Sequence, residues 1–175
     1  MTKLLPATLA ALLLLGGCSH FRSGPDWVIP EMDTAEAQLE VAYSQDRRAR
    51  NTFDVENRTE EYAKAIAAYE LVIERFPTDR DAAPLALLRT AELQRDQDNW
   101  PAALELYEEA VAKHPENPQV HAGGLYGMGL AYDELKQPQR AQAAYKALIE
   151  QYGADGDPQI RELARAARLR YQLIR

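Results

Sequence analysis

Ala65–Asp79 reads AIAAYELVIERFPTD, Ala103–Asn117 reads ALELYEEAVAKHPEN and Ala141–Asp155 reads AQAAYKALIEQYGAD. The three segments align without a gap at a spacing of 38 residues. Ala65, Ala103 and Ala141 fall in register, as do Tyr69, Tyr107 and Tyr145. Their ends correspond too, as Phe76-Pro77, His114-Pro115 and Tyr152-Gly153. In the second copy Ala103, Leu106, Tyr107, Ala110 and Val111 recur at i, i+3, i+4, i+7 and i+8, the apolar stripe of an amphipathic helix. Such a repeat is one supersecondary unit, which buries its apolar face only by stacking on its neighbours.

Working outward, a second helical stretch precedes each of the last two copies, Asp79–Arg95 and Gln119–Lys136, and Pro158–Ile174 stands alone at the end. Asn117-Pro118 and Asp157-Pro158 place a capping side chain before a proline suited to the first helical position. Gln137-Pro138 repeats the proline, Asn99 can cap the helix that holds Pro101, and Asp33 with Glu36 has the spacing of a reciprocal capping box. No stretch alternates with period two between hairpin turn signals. The sequence predicts an all-α fold.

The tandem helix pairs resemble the tetratricopeptide (TPR) repeat family. The family pattern places a large residue, a Leu, a small residue and a Tyr in helix A, then Ala, an aromatic and Ala in helix B, then Pro. The third copy supplies Leu125, Met128, Gly129, Tyr132, Ala141, Tyr145, Leu148 and Gly153; the second supplies Leu87, Thr90, Ala91, Gln94, Ala103, Tyr107, Ala110 and Pro115. Each copy exceeds the family period of about 34 by four residues, such as Pro118–His121. The longer spacing, with its F-P-x-D-like helix ends, is similar to that of TPR lipoproteins of bacterial envelopes, among them those of the β-barrel assembly complex and the Tol–Pal system. The resemblance implies a TPR-like α-solenoid of about three helix pairs over residues 34–175, with a C-terminal capping helix. Ile160, Leu163, Ala164, Ala167, Tyr171 and Ile174 would form the stripe that covers the open end. The first copy leaves three readings of its helix A: Asp46–Arg58; Thr34–Arg50 followed by a loop over Asn51–Asn57; or one long helix to about Phe53.

Further out lies the N-terminus, MTKLLPATLAALLLLGGCSH. Lys3 precedes an apolar run, Leu4–Leu15, which as a helix spans about 18 Å, short of a bilayer core of ~30 Å. Residues 1–17 therefore read as a signal peptide. Leu15-Gly16-Gly17-Cys18 resembles a bacterial lipobox, which implies that Cys18 is lipidated and begins the mature chain. Ser19 after it implies, by the enterobacterial sorting pattern, an outer-membrane anchor facing the periplasm. Residues 18–33 read as a flexible tether, in which Phe21, Trp27 and Val28 either dock or stay free.

The 175-residue chain is 46% hydrophobic and 27% charged, with net charge -7. That is an ordinary globular composition, and the acidic balance argues against a nucleic-acid partner. One cysteine excludes an intramolecular disulfide. Nothing assembles a catalytic group: serines after the signal are Ser19, Ser23 and Ser44, and no G-x-S-x-G elbow occurs. His20, His114 and His121 lack metal-ligand spacing. Gly123, Gly124, Gly127 and Gly129 lie inside a helix, where close packing explains them better than a phosphate cradle. No catalytic residue, metal or cofactor is expected, and no small-molecule substrate.

The family resemblance assigns a partner-binding groove to helix A side chains. These are Leu85, Leu88, Glu92, Arg95 and Asp96 in the second copy; Gly123, Tyr126, Leu130, Asp133 and Glu134 in the third; and Arg161, Ala164, Arg168 and Tyr171 in the last helix. Arg47, Arg50 and Asp54 join them if the first copy keeps register. Apolar anchors rimmed by charge suit a peptide or partner helix. The Lys and Asn of chaperone-binding TPRs are missing. Residues 158–175 carry net +4 and residues 18–157 carry -12, so the last helix is either a solvated basic face or a contact for an acidic partner. The expectation is a non-enzymatic envelope scaffold holding another envelope protein; a pilotin-like lipoprotein for a secretin or type IV pilus, and an accessory subunit of a cell-wall enzyme, are the alternatives.

Overall fold

The computed structural model describes residues 23–24 and 27–174. Among these residues seven helices follow one another as α1 (Ala35–Asn51), α2 (Val55–Arg75), α3 (Ala82–Asp96), α4 (Trp100–Lys113), α5 (Pro118–Glu134), α6 (Pro138–Tyr152) and α7 (Pro158–Leu173). They form an all-α, TPR-like solenoid of three helix pairs with a C-terminal helix. Outside it, Ser23–Gly24 pairs antiparallel with Trp27–Val28. Residues 1–17, read from the sequence as a signal peptide, and Cys18 lie outside the described residues.

Asn117-Pro118 and Asp157-Pro158 start α5 and α7 as the sequence predicts. The Asn117 side chain accepts from the Val120 N–H, and Asp157 accepts from the Gln159 and Ile160 N–H groups. Two caps differ. Thr34, not Asp33, caps α1 by accepting from the Ala37 N–H at 3.2 Å. Asn99 turns its side chain back to Gln94 instead of capping α4. The A-to-B turns close alike: Asn99 N–H donates to the Gln94 carbonyl and Gln137 N–H to the Tyr132 carbonyl, with Asp98 and Lys136 both at φ 59°. This is the left-handed residue of a helix stop, repeated 38 residues apart.

The core divides into three clusters, each built round one of the equivalent tyrosines. Tyr69 and Tyr145 have no exposed surface and Tyr107 has 1%. Helix α5 is bare where two of these rings pass, one from the preceding pair and one from its own helix B. A Cβ on Gly127 would stand 2.3 Å from the Tyr107 ring, and one on Gly129 would stand 2.3 Å from the Tyr145 ring. The glycines of α5 are thus packing residues, and they bring the helices close enough for the ring to fill the gap.

The first pair resolves the alternatives. Helix A is α1, and only Thr52–Asp54 separate it from α2. The reading that put helix A at Asp46–Arg58 fails, because Phe53, its largest apolar residue, is 94% exposed at the turn. The expected loop of Asn51–Asn57 shrinks to three residues, since Val55–Asn57 already belong to α2. The buried face of α1 includes Gln38 and Asp46, and each polar group has a partner distant in sequence. Gln38 accepts from the Met32 N–H at 2.8 Å and donates to the Pro30 carbonyl at 3.0 Å. Asp46 accepts from the Tyr69 hydroxyl at 3.0 Å. Part of the segment read as a tether is therefore packed: Ile29 is 6% exposed, and Trp27 lies against the first cluster.

Candidate partner-binding groove

The A helices α1, α3, α5 and α7 are neighbours in that order, with α2, α4 and α6 behind them. Their inner wall holds a cavity of about 510 Å³ between α3, α5 and α7. Leu85 and Leu88 come from α3, Gly123 and Tyr126 from α5, and Leu163 and Ala166 from α7. Tyr107 reaches this wall from α4 through the gap left by Gly127. Its hydroxyl is buried beside Arg95. Burial pushes its pKa up, so the phenol stays neutral.

Charge collects at the α3 side. Arg89, Glu92 and Arg95 border the cavity, and Arg89 Nη1 donates to Glu92 Oε2 at 2.6 Å. Arg89 also borders a second depression of about 450 Å³, lined by Glu40, Tyr43, Asp46, Arg47 and Arg50. The inner wall therefore continues onto α1. There Arg50 bridges Asp46 on its own helix and Asp96 at the end of α3, and Arg95 pairs with Asp96 at 2.8 Å. Burial opposes the Arg50 charge, but the two aspartates outweigh it and hold the guanidinium protonated. Burial and Asp46 together push the Tyr69 pKa up.

The structure gathers Leu85, Leu88, Glu92, Arg95, Gly123 and Tyr126 of the sequence-predicted residues round the cavity. Asp96 serves the bridge to Arg50 instead. Leu130, Asp133 and Glu134 fall beyond the cavity wall; Asp133 lies 4.0 Å from Arg170. On α7 the expected Arg161, Ala164, Arg168 and Tyr171 do not line it. Arg161 donates to the Asp155 and Gly156 carbonyls, and Ala164 is buried in the core. The wall residues are Gln159, Ile160, Glu162, Leu163 and Ala166. The cause is spacing: the caps Asn117 and Asp157 are 40 residues apart, not 38, so the whole face of α7 advances by two. Arg89, Tyr107 and Gln119 were also missed. A helix B tyrosine reaching the inner wall has a signal only in the bare α5 glycine opposite it.

Among the described residues no cluster of three or more His, Cys, Asp or Glu could hold a metal, and no helix is long and apolar enough to cross a membrane. The tetratricopeptide repeat family matches residues 85–117 and 124–154, which are the α3–α4 and α5–α6 pairs. No curated protein matches the chain. The two central pairs are thus similar to tetratricopeptide repeats, a family whose members are typically non-catalytic modules for protein–protein interaction.

Proposed function

We propose that this protein is a lipid-anchored, non-enzymatic scaffold, held by Cys18 on the periplasmic face of a bacterial outer membrane, and that its inner wall grips a segment of another envelope protein. The observation that carries the reading is the cavity of Leu85, Leu88, Tyr126, Leu163 and Ala166, with Arg89, Glu92 and Arg95 at one side. Apolar anchors there bury a peptide's side chains, while the charged side fixes its direction. The anchor rests on Leu15-Gly16-Gly17-Cys18 after an apolar run. The likeness to the lipoproteins of β-barrel assembly and the Tol–Pal system rests on the longer repeat and the F-P-x-D-like helix ends.

Two experiments test this. Palmitate labelling in a bacterial host should be lost in Cys18→Ala, and persistence of the label would remove the anchor. A photo-crosslinking residue at Tyr126 should capture an envelope protein that the same residue at Phe53, on the outer turn, does not. Recovery of a barrel-assembly or Tol–Pal component supports this reading. A secretin or a peptidoglycan enzyme would replace it with the pilotin-like or accessory role.

A further inference from the structure

The face that α7 turns away from the stack has a counterpart in α5. Gly129 of α5 lies against the Tyr145 ring of α6, so its position is the one that receives the helix B of its own pair. Leu125 and Tyr132 flank it, both buried. Advanced by the 40 residues that separate Asn117 from Asp157, these positions become Arg165, Leu169 and Gln172 on α7. His121 and Met128 become Arg161 and Arg168. Among the described residues no helix lies on these positions, and Leu169 is exposed where Gly129 is covered.

Its chemistry differs from that of a surface that is merely solvated. Leu169 is 61% exposed and Leu173, one turn on, 77% exposed. Three of the five large hydrophobic side chains exposed among the described residues, Leu169, Tyr171 and Leu173, belong to this helix. The cations nearest Leu169 on this face are arginines, Arg165 and Arg168, with no lysine on α7. Arginine's planar fork suits carboxylates at interfaces. Arg165 meets only Glu162 of its own helix, at 3.0 Å, with both side chains mostly exposed, and Arg168 has no ion pair among the described residues. An α7-to-α7 dimer would set arginine against arginine, which like-charge repulsion disfavours.

We propose that this face seats an acidic amphipathic helix of a partner protein, lying where the B helix of a fourth pair would stand. Its apolar residues rest on Leu169 and Leu173, and its carboxylates meet Arg165 and Arg168. This site is separate from the inner groove, and either can fail without the other.

The probe is a labelled synthetic helix with leucines at i and i+4 flanked by glutamates, and a control has lysines in place of the glutamates. Anisotropy is measured against the full chain carrying Cys18→Ala. The acidic peptide should bind and the lysine peptide should not. The double variant Arg165→Glu, Arg168→Glu should weaken the acidic peptide roughly tenfold or more while circular dichroism stays unchanged, and Leu169→Ser should weaken it with the same fold intact. Hydrogen exchange should show protection over α7. Binding indifferent to the arginine reversal, or protection confined to α3 and α5, overturns the proposal. Absence of peptide binding overturns it as well; α7-dependent sedimentation with phosphatidylglycerol vesicles would then make the face a lipid contact, and no sedimentation would make it a solvated cap.

Discussion

The two ends of the solenoid are finished in different ways. At the N-terminal end the chain covers itself: Ile29 and Trp27 pack on the first cluster, and Gln38 ties the Pro30 and Met32 backbone to α1. At the C-terminal end nothing among the described residues covers α7, and the residues change instead. Positions that are Leu125, Met128 and Gly129 in α5 are Arg165, Arg168 and Leu169 in α7. A stack of amphipathic helices always leaves two unmatched faces. Among the described residues one here is closed with chain and the other carries exposed charge.

The contrast can be broken by measurement, beginning with the interior that both ends protect. Gly127→Ala should cost about 3 kcal/mol in denaturant unfolding, because the new Cβ would stand 2.3 Å from the buried Tyr107 ring and force it to shift. In a Tyr107→Leu background that cost should shrink sharply; an unchanged cost would mean that the ring is not what forbids a side chain there. At the sealed end, Ile29→Ala should destabilise by about 2 kcal/mol. If it is neutral, the segment is not part of the fold and the two ends are alike.

The next effect depends on pH. Burial holds the His121 imidazole below its ordinary pKa, and its Nδ1 lies 2.9 Å from the Tyr152 hydroxyl. With the folded pKa depressed, the unfolded chain binds more protons. The contribution of His121 is therefore complete above the unfolded value of about 6.5 and is lost as pH falls toward the folded value. Melting temperature should fall less between pH 7.5 and pH 5 in His121→Gln than in the unsubstituted protein; equal slopes would remove His121 as the cause. The smallest effect belongs to the open end. Leu169→Ala should change stability by less than about 0.5 kcal/mol, and a larger loss would show that α7 is already covered.

How far the groove could be read ahead varied with the helix. Leu85, Leu88 and Tyr126 followed from one repeat spacing, since α3 and α5 keep the 38-residue period along this wall. On α7 the same rule chose Arg161, Arg168 and Tyr171 and missed Leu163 and Ala166. The segment Gly153–Asp157 lengthens the last period, and two residues rotate a helix by about half a turn. The first helix A escaped the repeat altogether. Its buried positions include Gln38 and Asp46, which look exposed in a hydropathy pattern and become core residues only when Pro30, Met32 and Tyr69 reach them.

The sequence by itself determined the helices, their pairing and the burial of the three tyrosines, because periodicity and capping are local and repeat with the chain. Tertiary structure decided which residues share the inner wall, where Tyr107 emerges through the space left by Gly127, and which end of the stack stays open. Those outcomes depend on how each helix is rotated against its neighbours, and that rotation is fixed by loop length and by partners far apart in sequence.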